Sequence, residues 1–440
     1  MTFANLSAWL RTHALAASLI VLFGSASVRL FMVVRADPNQ LVLSSDDYLS
    51  PAHSLLEQGA FLDNRGKPNF HRTPGYPVFL AGVMWLMGPD LRTALITQTV
   101  ILSFGPLILY WLGRRILPPI PAILGGLIAA LSPWGAVLAV MPMSDGLFLM
   151  LLSAIFLLMK VAVNSKASRA LLLAACVGCL TSLAVLVRPI WPLLILVPAG
   201  FVFSLGFKRQ GVWLLLAVSV LCAVVPVGLW RERNEREAHF NGLSDVAAQD
   251  AWEYLAARVR ADVSGQNRHD VSVLAVQEAF TWGVPFWTQE MDDERWRRAN
   301  AVFRKHPFRT VYSFGRSAVE HMIHPSRDVL EAGRLNFHGD TVVLALLWGG
   351  LLLVSTYAFR QSNSPPGWQN ADVDQRFLIA MLFICMSVTL CSGILFAQGS
   401  RMRAPLEAIV PLLAALGLVR MLCRFHSASV VSSVTTPVMR

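Results

Sequence analysis

Asp46 and Asp47 stand side by side before Tyr48, in the stretch SSDDYLSPAHSLLEQGAF that follows the first long apolar segment. A carboxylate within hydrogen-bond reach of a hydroxyl can take its proton and turn it into a nucleophile. Asp145 is a third carboxylate, at the start of another apolar run. Cations stand opposite: Arg72 after His71, Arg92, Arg188 before Pro189, and Arg401 and Arg403 on either side of Met402. Guanidinium forks match phosphate oxygens, so several such arginines at one membrane face point to a phosphate pocket. Plainer readings stay open for each. The acidic pair could cap a helix or sit in a solvated loop. His71, Arg72 and Tyr76 could anchor a helix at headgroup level, and Asp145 could be a structural carboxylate at the membrane edge.

These residues hang on an apolar scaffold. Of 440 residues, 55% are hydrophobic and 15% charged, with mean hydropathy +0.53. A soluble chain of this size needs more charge to cover its surface, so the composition predicts an all-α polytopic membrane protein. About ten apolar runs near the bilayer-spanning length occur, at 14–34, 93–112, 118–136, 146–164, 170–187, 190–207, 211–230, 341–359, 377–397 and 404–422. The first is longer than a signal-peptide core and lacks a small-x-small cleavage site, so it reads as a helix.

The net charge of +10 resides in short clusters between apolar runs rather than in a nucleic-acid-binding motif. Placing Arg11 in the cytoplasm puts Arg114-Arg115, Lys160 with Lys166 and Arg169, Lys208-Arg209, Arg360 with Arg376, and Arg420 with Arg424 there as well, as the positive-inside rule requires. The polar segments 35–91 and 231–340 then fall outside. Three regions follow: 1–230 with the first outer loop, an outer region 231–340, and C-terminal helices with a cytoplasmic tail over 341–440. PGYPVFLAGVMWLMG (74–88) is short for a span and reads as an outer juxtamembrane helix. SPWGAVLAVMPMSD, broken by two prolines, reads as a segment along the outer surface.

Within the acidic stretch, Tyr48, Ala52, Leu55 and Leu56 share one helix face. Pro51 suits a first helical position with Ser50 as cap, and Gly59 suits the end. The acidic pair then precedes the helix rather than capping it. Other chemistry is not signalled: the sequence has no P-loop, dinucleotide fingerprint, HExxH or nucleophile elbow. His306, His321 and His324 lack the spacing of a compact metal site. The six cysteines, including Cys176-x-x-Cys179, lie in or beside apolar runs, which excludes a disulfide framework for the polar loops.

In order along the chain come Asp46-Asp47, the A-x-x-L-L-x-x-G helix (Ala52–Gly59), RTPGYPxFLA (Arg72–Ala81), YWLGRR (Tyr110–Arg115), SDGLF (Ser144–Phe148), LAVLVRP (Leu183–Pro189), RxRN (Arg231–Asn234) and RMRAP (Arg401–Pro405). This series resembles the GT-C membrane glycosyltransferases related to protein O-mannosyltransferases and aminoarabinose lipid A transferases. It spans most of the chain outside 240–340. One departure is that Ser44 stands where many relatives carry the first acid.

The resemblance implies a GT-C architecture with outer juxtamembrane helices in a bacterial cytoplasmic membrane. It further implies a sugar moved, with inversion, from a polyprenyl-phosphate donor to a lipid, glycan or protein hydroxyl at the outer face. Asp46, or else Asp47, would be the base. Arg72, Arg188, Arg401, Arg403 and, less directly, Arg92 would hold the donor phosphate, with His71, Tyr76 and Asp145 as accessories. A divalent metal could assist; no other cofactor and no nucleic acid is implied. A polytopic transporter or flippase, or a non-catalytic relative in envelope glycan assembly, are the alternatives.

Overall fold

The computed structural model describes residues 3–35, 48–206, 211–323, 349–350, 353–354, 371–396 and 400–434. In chain order the helices are α1 Phe3–Thr12, α2 Ala14–Arg35, α3 Leu49–Gln58, α4 Gly75–Met87, α5 Leu91–Leu102, α6 Phe104–Ile116, α7 Pro119–Leu131, α8 Pro133–Val140, α9 Ser144–Val163, α10 Ala167–Val187, α11 Leu193–Leu205 and α12 Val212–Ala238. There follow α13 Val246–Asp250, a π-helical turn Ala251–Ala256, α14 Ala257–Ser264, α15 Arg268–Phe280, α16 Gln289–Lys305, α17 Pro307–Ile323, α18 Ala371–Phe396, a 3₁₀ segment Ser400–Ala408 and α19 Val410–Val434. No strand occurs among the described residues.

Six stretches of described helix are long and apolar enough to cross a membrane, α5 and α6 together making one of them, or seven with one bent pair. Among the described residues the tally of ten is not reached. Leu193–Leu205 and the apolar part of α19, Val410–Cys423, are shorter, and 341–359 falls largely outside the described residues. Two predicted spans are interrupted. Residues 93–112 lie on α5 and α6, which meet at Ser103. Residues 118–136 become α7 and α8, bent by 51°. Ser132 makes that break, its hydroxyl accepting from the Gly135 amide while Pro133 opens α8.

The expected surface path of 133–145 is overturned. Every residue of α8 after Pro133 is buried, because a run of apolar and small side chains has no polar face to offer water. Lys160 also differs from its expected place in a cytoplasmic cluster. It is 1% exposed on α9 and ion-paired with Asp374 of α18, whose carboxylate replaces the solvent the ammonium gives up.

The short helices follow the sequence closely. α3 ends at Gly59, left-handed at φ 66°, whose amide bonds the Leu55 carbonyl. Its start is two residues earlier than the pattern predicts: Leu49 opens the helix and Tyr48, not Ser50, stands at the cap. α4 buries Tyr76, Leu80, Ala81, Val83 and Met84 while Trp85 and Leu86 stay exposed. Gly75 lets its first turn approach α10, since a Cβ there would lie 2.6 Å from the Val187 nitrogen.

Between α12 and α17, an alanine-rich core of Trp252, Ala256, Val271, Ala275 and Ala299 holds a separate helical cluster together. Trp252 Nε1 donates to the Ala275 carbonyl at 2.8 Å. α12 runs eight residues beyond the predicted span end, and its last turns touch the first loop. Arg233 donates to the carbonyls of Asn69 at 2.6 Å and Phe61 at 3.0 Å.

Candidate active site

Asp46 and Asp47 lie outside the described residues. Tyr48, which follows them, is buried and fixed on three sides. Its hydroxyl shares a hydrogen bond with Ser144 Oγ at 3.0 Å. Its ring meets the edge of Tyr76 at 4.9 Å. The Arg72 guanidinium carbon stands 5.1 Å from the Tyr48 ring centroid, a cation–π contact.

Arg72 is the least satisfied of the described cations here. Its amide donates to Asn69 Oδ1 at 3.1 Å, which shapes the turn into α4. Its buried Nε has no hydrogen-bond partner. A buried guanidinium nitrogen without an acceptor invites an anionic oxygen.

Tyr76 is fully buried, its hydroxyl donating to Gln98 Oε1 at 2.8 Å. Gln98 in turn donates to the Ala139 and Met141 carbonyls. This chain joins α4, α5 and α8 and fixes the wall behind Tyr48.

Arg188 and Asp145, expected as separate features, form one buried ion pair between α9 and the end of α10. Ser144 and Asp145 therefore serve two neighbours, Tyr48 and Arg188. The structure thus gathers Tyr48, Arg72, Tyr76, Ser144, Asp145 and Arg188 through a continuous set of contacts. Arg92 is exposed beside the helix-capping Asp90, and no described contact joins it to this group. Arg401 and Arg403 fall in the 3₁₀ segment, which packs against α9; their side chains lie outside the description.

His71 faces the other way, toward the helical cluster. Its Nδ1 meets Asp245 Oδ1 at 2.7 Å, and its ring meets Trp287 edge-on at 4.8 Å. Arg295 approaches Asp245 at 3.8 Å and bonds Glu253 at 3.1 Å. Burial pushes the Asp245 carboxyl up, but His71, Arg295 and Arg72 outweigh it and hold it below the usual range. Burial raises Glu253, against the Gln249 hydrogen bond and Arg295. Asp292 is pushed up to about 7 by burial, with Asp245 and Asp293 adding to the rise.

A cleft of about 490 Å³ opens beside His71, lined by Asp63, Asn64, Arg65, Asn69 and Trp287, with Ser50 of α3 at its edge. Among the described residues no group of three or more His, Cys, Asp or Glu could hold a metal ion.

Residues 71–230 match the model of the dolichyl-phosphate-mannose-protein mannosyltransferase family. The archaeal oligosaccharyltransferase AglB from Archaeoglobus fulgidus, solved with an inhibitory peptide and a dolichol-phosphate, superposes over 98% of this chain at TM-score 0.54 and 12% identity. The chain has the GT-C fold. A second structure of the Archaeoglobus enzyme, tethered to an acceptor peptide, agrees over 96% of this chain at TM-score 0.53 and 13% identity. This GT-C chain spans about half the length of those oligosaccharyltransferases, 53% and 51%. ArnT from Cupriavidus metallidurans, bound to undecaprenyl phosphate, aligns over 95% of this chain and 79% of its own, at TM-score 0.40 and 14% identity. That likeness is too loose to carry weight. Sequence comparison with curated proteins returns no match.

Sequence reasoning missed Asp245, Arg295 and Trp287 around His71. A signal existed: Met291, Arg295 and Ala299 recur every four residues behind the Thr288 cap, and all three are buried on one face of α16. It also missed Arg29, buried inside α2, which donates to Ser25 Oγ at 2.8 Å and the Ala130 carbonyl at 3.0 Å. An arginine within an apolar helix is itself a signal.

Proposed function

We propose that this GT-C chain is a membrane glycosyltransferase that moves a sugar from a polyprenyl-phosphate donor to an acceptor hydroxyl. The observation that carries this reading is the Arg72 guanidinium, held over Tyr48 with a buried Nε that lacks an acceptor, next in the fold to the residue that follows two aspartates. That is a cation for a departing phosphate beside the residue that follows the candidate base in sequence. The family match over 71–230 covers this cation and the buried Asp145–Arg188 pair.

In the proposed reaction, Asp46 or Asp47 takes the acceptor's hydroxyl proton. The acceptor oxygen forms the new bond to the anomeric carbon from the face opposite the phosphate, inverting it. The old carbon–oxygen bond breaks, and its electrons leave on the lipid phosphate. Arg72 stabilises that growing charge. Arg188, Arg401 and Arg403 are further candidates, Arg188 through a shift of its contact with Asp145. The donor's lipid tail stays in the bilayer, with the sugar at the outer face of a bacterial cytoplasmic membrane. The cleft beside His71 is the proposed approach of the acceptor. Dolichol-phosphate and acceptor peptide in the Archaeoglobus enzyme's structures are consistent with a lipid-linked donor and a separate acceptor here.

The test is reconstitution with undecaprenyl-phosphate-linked sugars and envelope lipid extract, reading release of undecaprenyl phosphate. Loss of release in both Asp46→Asn and Asp47→Asn, or in one of them, supports the assignment. Full release by the double variant at normal expression overturns the base assignment.

A further inference from the structure

α17 is built inside out for a helix in water. On its inward face lie Thr310, Ser313, Ser317 and Ala318, all buried. Its outward face carries Phe308, Val311 and Tyr312, which are 90%, 73% and 55% exposed. Positions 308, 311, 312 and 315 fall within one arc of a 3.6-residue helix, so this is one stripe rather than scattered side chains.

The inward hydroxyls are occupied. Ser313 Oγ donates to Asp262 Oδ2 at 2.6 Å, and Thr310 Oγ1 donates to the His306 carbonyl at 2.9 Å. Rolling the helix to bury its aromatics would abandon the Ser313 bond to Asp262 of α14. Small and hydroxyl-bearing residues at the helix contact, with large apolar side chains turned away, is the arrangement of a helix surrounded by lipid. The exposures are comparable to those of apolar side chains on the spanning α2, such as Phe23 at 65% and Phe31 at 60%.

Charge at its N-terminal end selects the occupant further. Arg304, Lys305 and Arg309 are exposed within six residues. No Asp or Glu occurs from 299 to 319. A cationic rim beside an apolar stripe matches anionic headgroups over acyl chains. α17 packs against α18, a spanning helix, and against the 3₁₀ segment that follows it, so the bilayer is within reach.

We infer that α17 lies in the membrane interface, with Phe308, Val311 and Tyr312 among acyl chains and Arg304, Lys305 and Arg309 on anionic phospholipid headgroups. The outer segment 231–340 then returns to the bilayer well before its end. This inference is independent of the transferase reading.

The test places benzoylphenylalanine singly at positions 308, 311 and 312 of the full chain, in nanodiscs holding one copy in phosphatidylglycerol. Position 23 on α2 is the lipid-facing control, and the exposed position 297 on α16 is the solvent control. Irradiation followed by mass spectrometry reads the adduct. Phospholipid adducts at 308, 311 and 312, comparable to 23 and at least several-fold above 297, are expected. Adducts at 23 alone overturn the inference, and so does a protein adduct at 308 in native membranes, which would assign the stripe to a protein partner or a second copy. A second arm repeats position 308 in phosphatidylcholine. A several-fold lower yield, matched in phosphatidylglycerol by Arg304→Gln with Lys305→Gln, is expected. Equal yields overturn the headgroup pairing.

Discussion

His71 Nδ1 and Asp245 Oδ1, 174 residues apart in sequence, meet at 2.7 Å in a buried contact between the first loop and the helical cluster. His71 is the residue before Arg72, so this contact fixes the backbone that presents the guanidinium whose Nε lacks an acceptor. Asp245→Asn keeps the shape but strips the charge from between His71 and Arg295. Removing one partner of a buried pair costs on the order of 3–5 kcal/mol, and a second tie, the Ser244 hydroxyl donating to the His71 carbonyl, limits the loss to the lower part of that range. Thermal unfolding in detergent checks this. The folded pKa of Asp245 is depressed, so its stabilisation is present above the unfolded value and is lost as pH falls through the folded one. Asp245→Asn therefore flattens the acid limb of the stability profile.

Asp292 has the opposite sign. Its folded pKa, about 7, lies above the unfolded value. The folded state holds the extra proton between the two, so stability declines as pH rises from about 4 to about 7 and then levels. Asp292→Asn removes that penalty. The variant is expected to be more stable than the parent at pH 8, by about 1–2 kcal/mol once partial exposure is discounted, and equal to it near pH 4. Melting temperatures across that range measure the crossover.

Arg72→Gln keeps length and polarity while removing the charge. Loss of one preorganised donor to a developing oxyanion typically costs roughly 10²–10³-fold in kcat, and that is the expected fall in undecaprenyl phosphate release. Arg72→Lys retains charge without the fork and should lie between. Because the one hydrogen bond of Arg72 among the described residues is made by its backbone amide, which both changes keep, neither should move the melting temperature by more than a degree or two. A large melting shift would reassign Arg72 to structure.

The Lys160–Asp374 pair joins α9 to α18 inside the bundle, with the ammonium also 5.6 Å from the Phe377 ring centroid. Lys160→Met strands a buried carboxylate and should destabilise by about 3–5 kcal/mol. Adding Asp374→Leu should restore most of that loss, since an apolar pair needs no compensation. Detergent-solubilised unfolding of the two variants decides between this and simple overpacking, which would make the double variant worse.

The membrane class and short α3 and α4 were legible because they depend on local pattern: apolar run length, Gly59 at a helix end, Pro74 before another. The arginine-rich face was legible only as a set of candidates. Asp145 and Arg188 each read as an independent ligand, yet they satisfy one another, and nothing in a linear sequence pairs residues 43 positions apart on different helices. The 231–340 segment was opaque for a related reason. Its helices turn charges such as Arg295, Glu253 and Asp245 inward, and hydrophobic periodicity reads inward charges as solvent-facing. The break at Ser132 was visible as Ser-Pro, but the burial of α8 behind it depends on α2, α5 and α9 surrounding it.

Arg233 grips the first loop by the carbonyl oxygens of Phe61 and Asn69, groups that every amino acid supplies. The grip is therefore blind to sequence, while the turn it brackets, Asp63 to Lys67, forms part of the cleft wall. Substitutions of Asn64 and of Arg65 can change what the cleft admits, while Asp63, which accepts from the Arg65 and Lys67 amides, and the left-handed Gly66 keep the path of the chain. The fold separates a frame held through backbone groups from a rewritable lip, which is where a related chain would change what the cleft admits at least cost to stability.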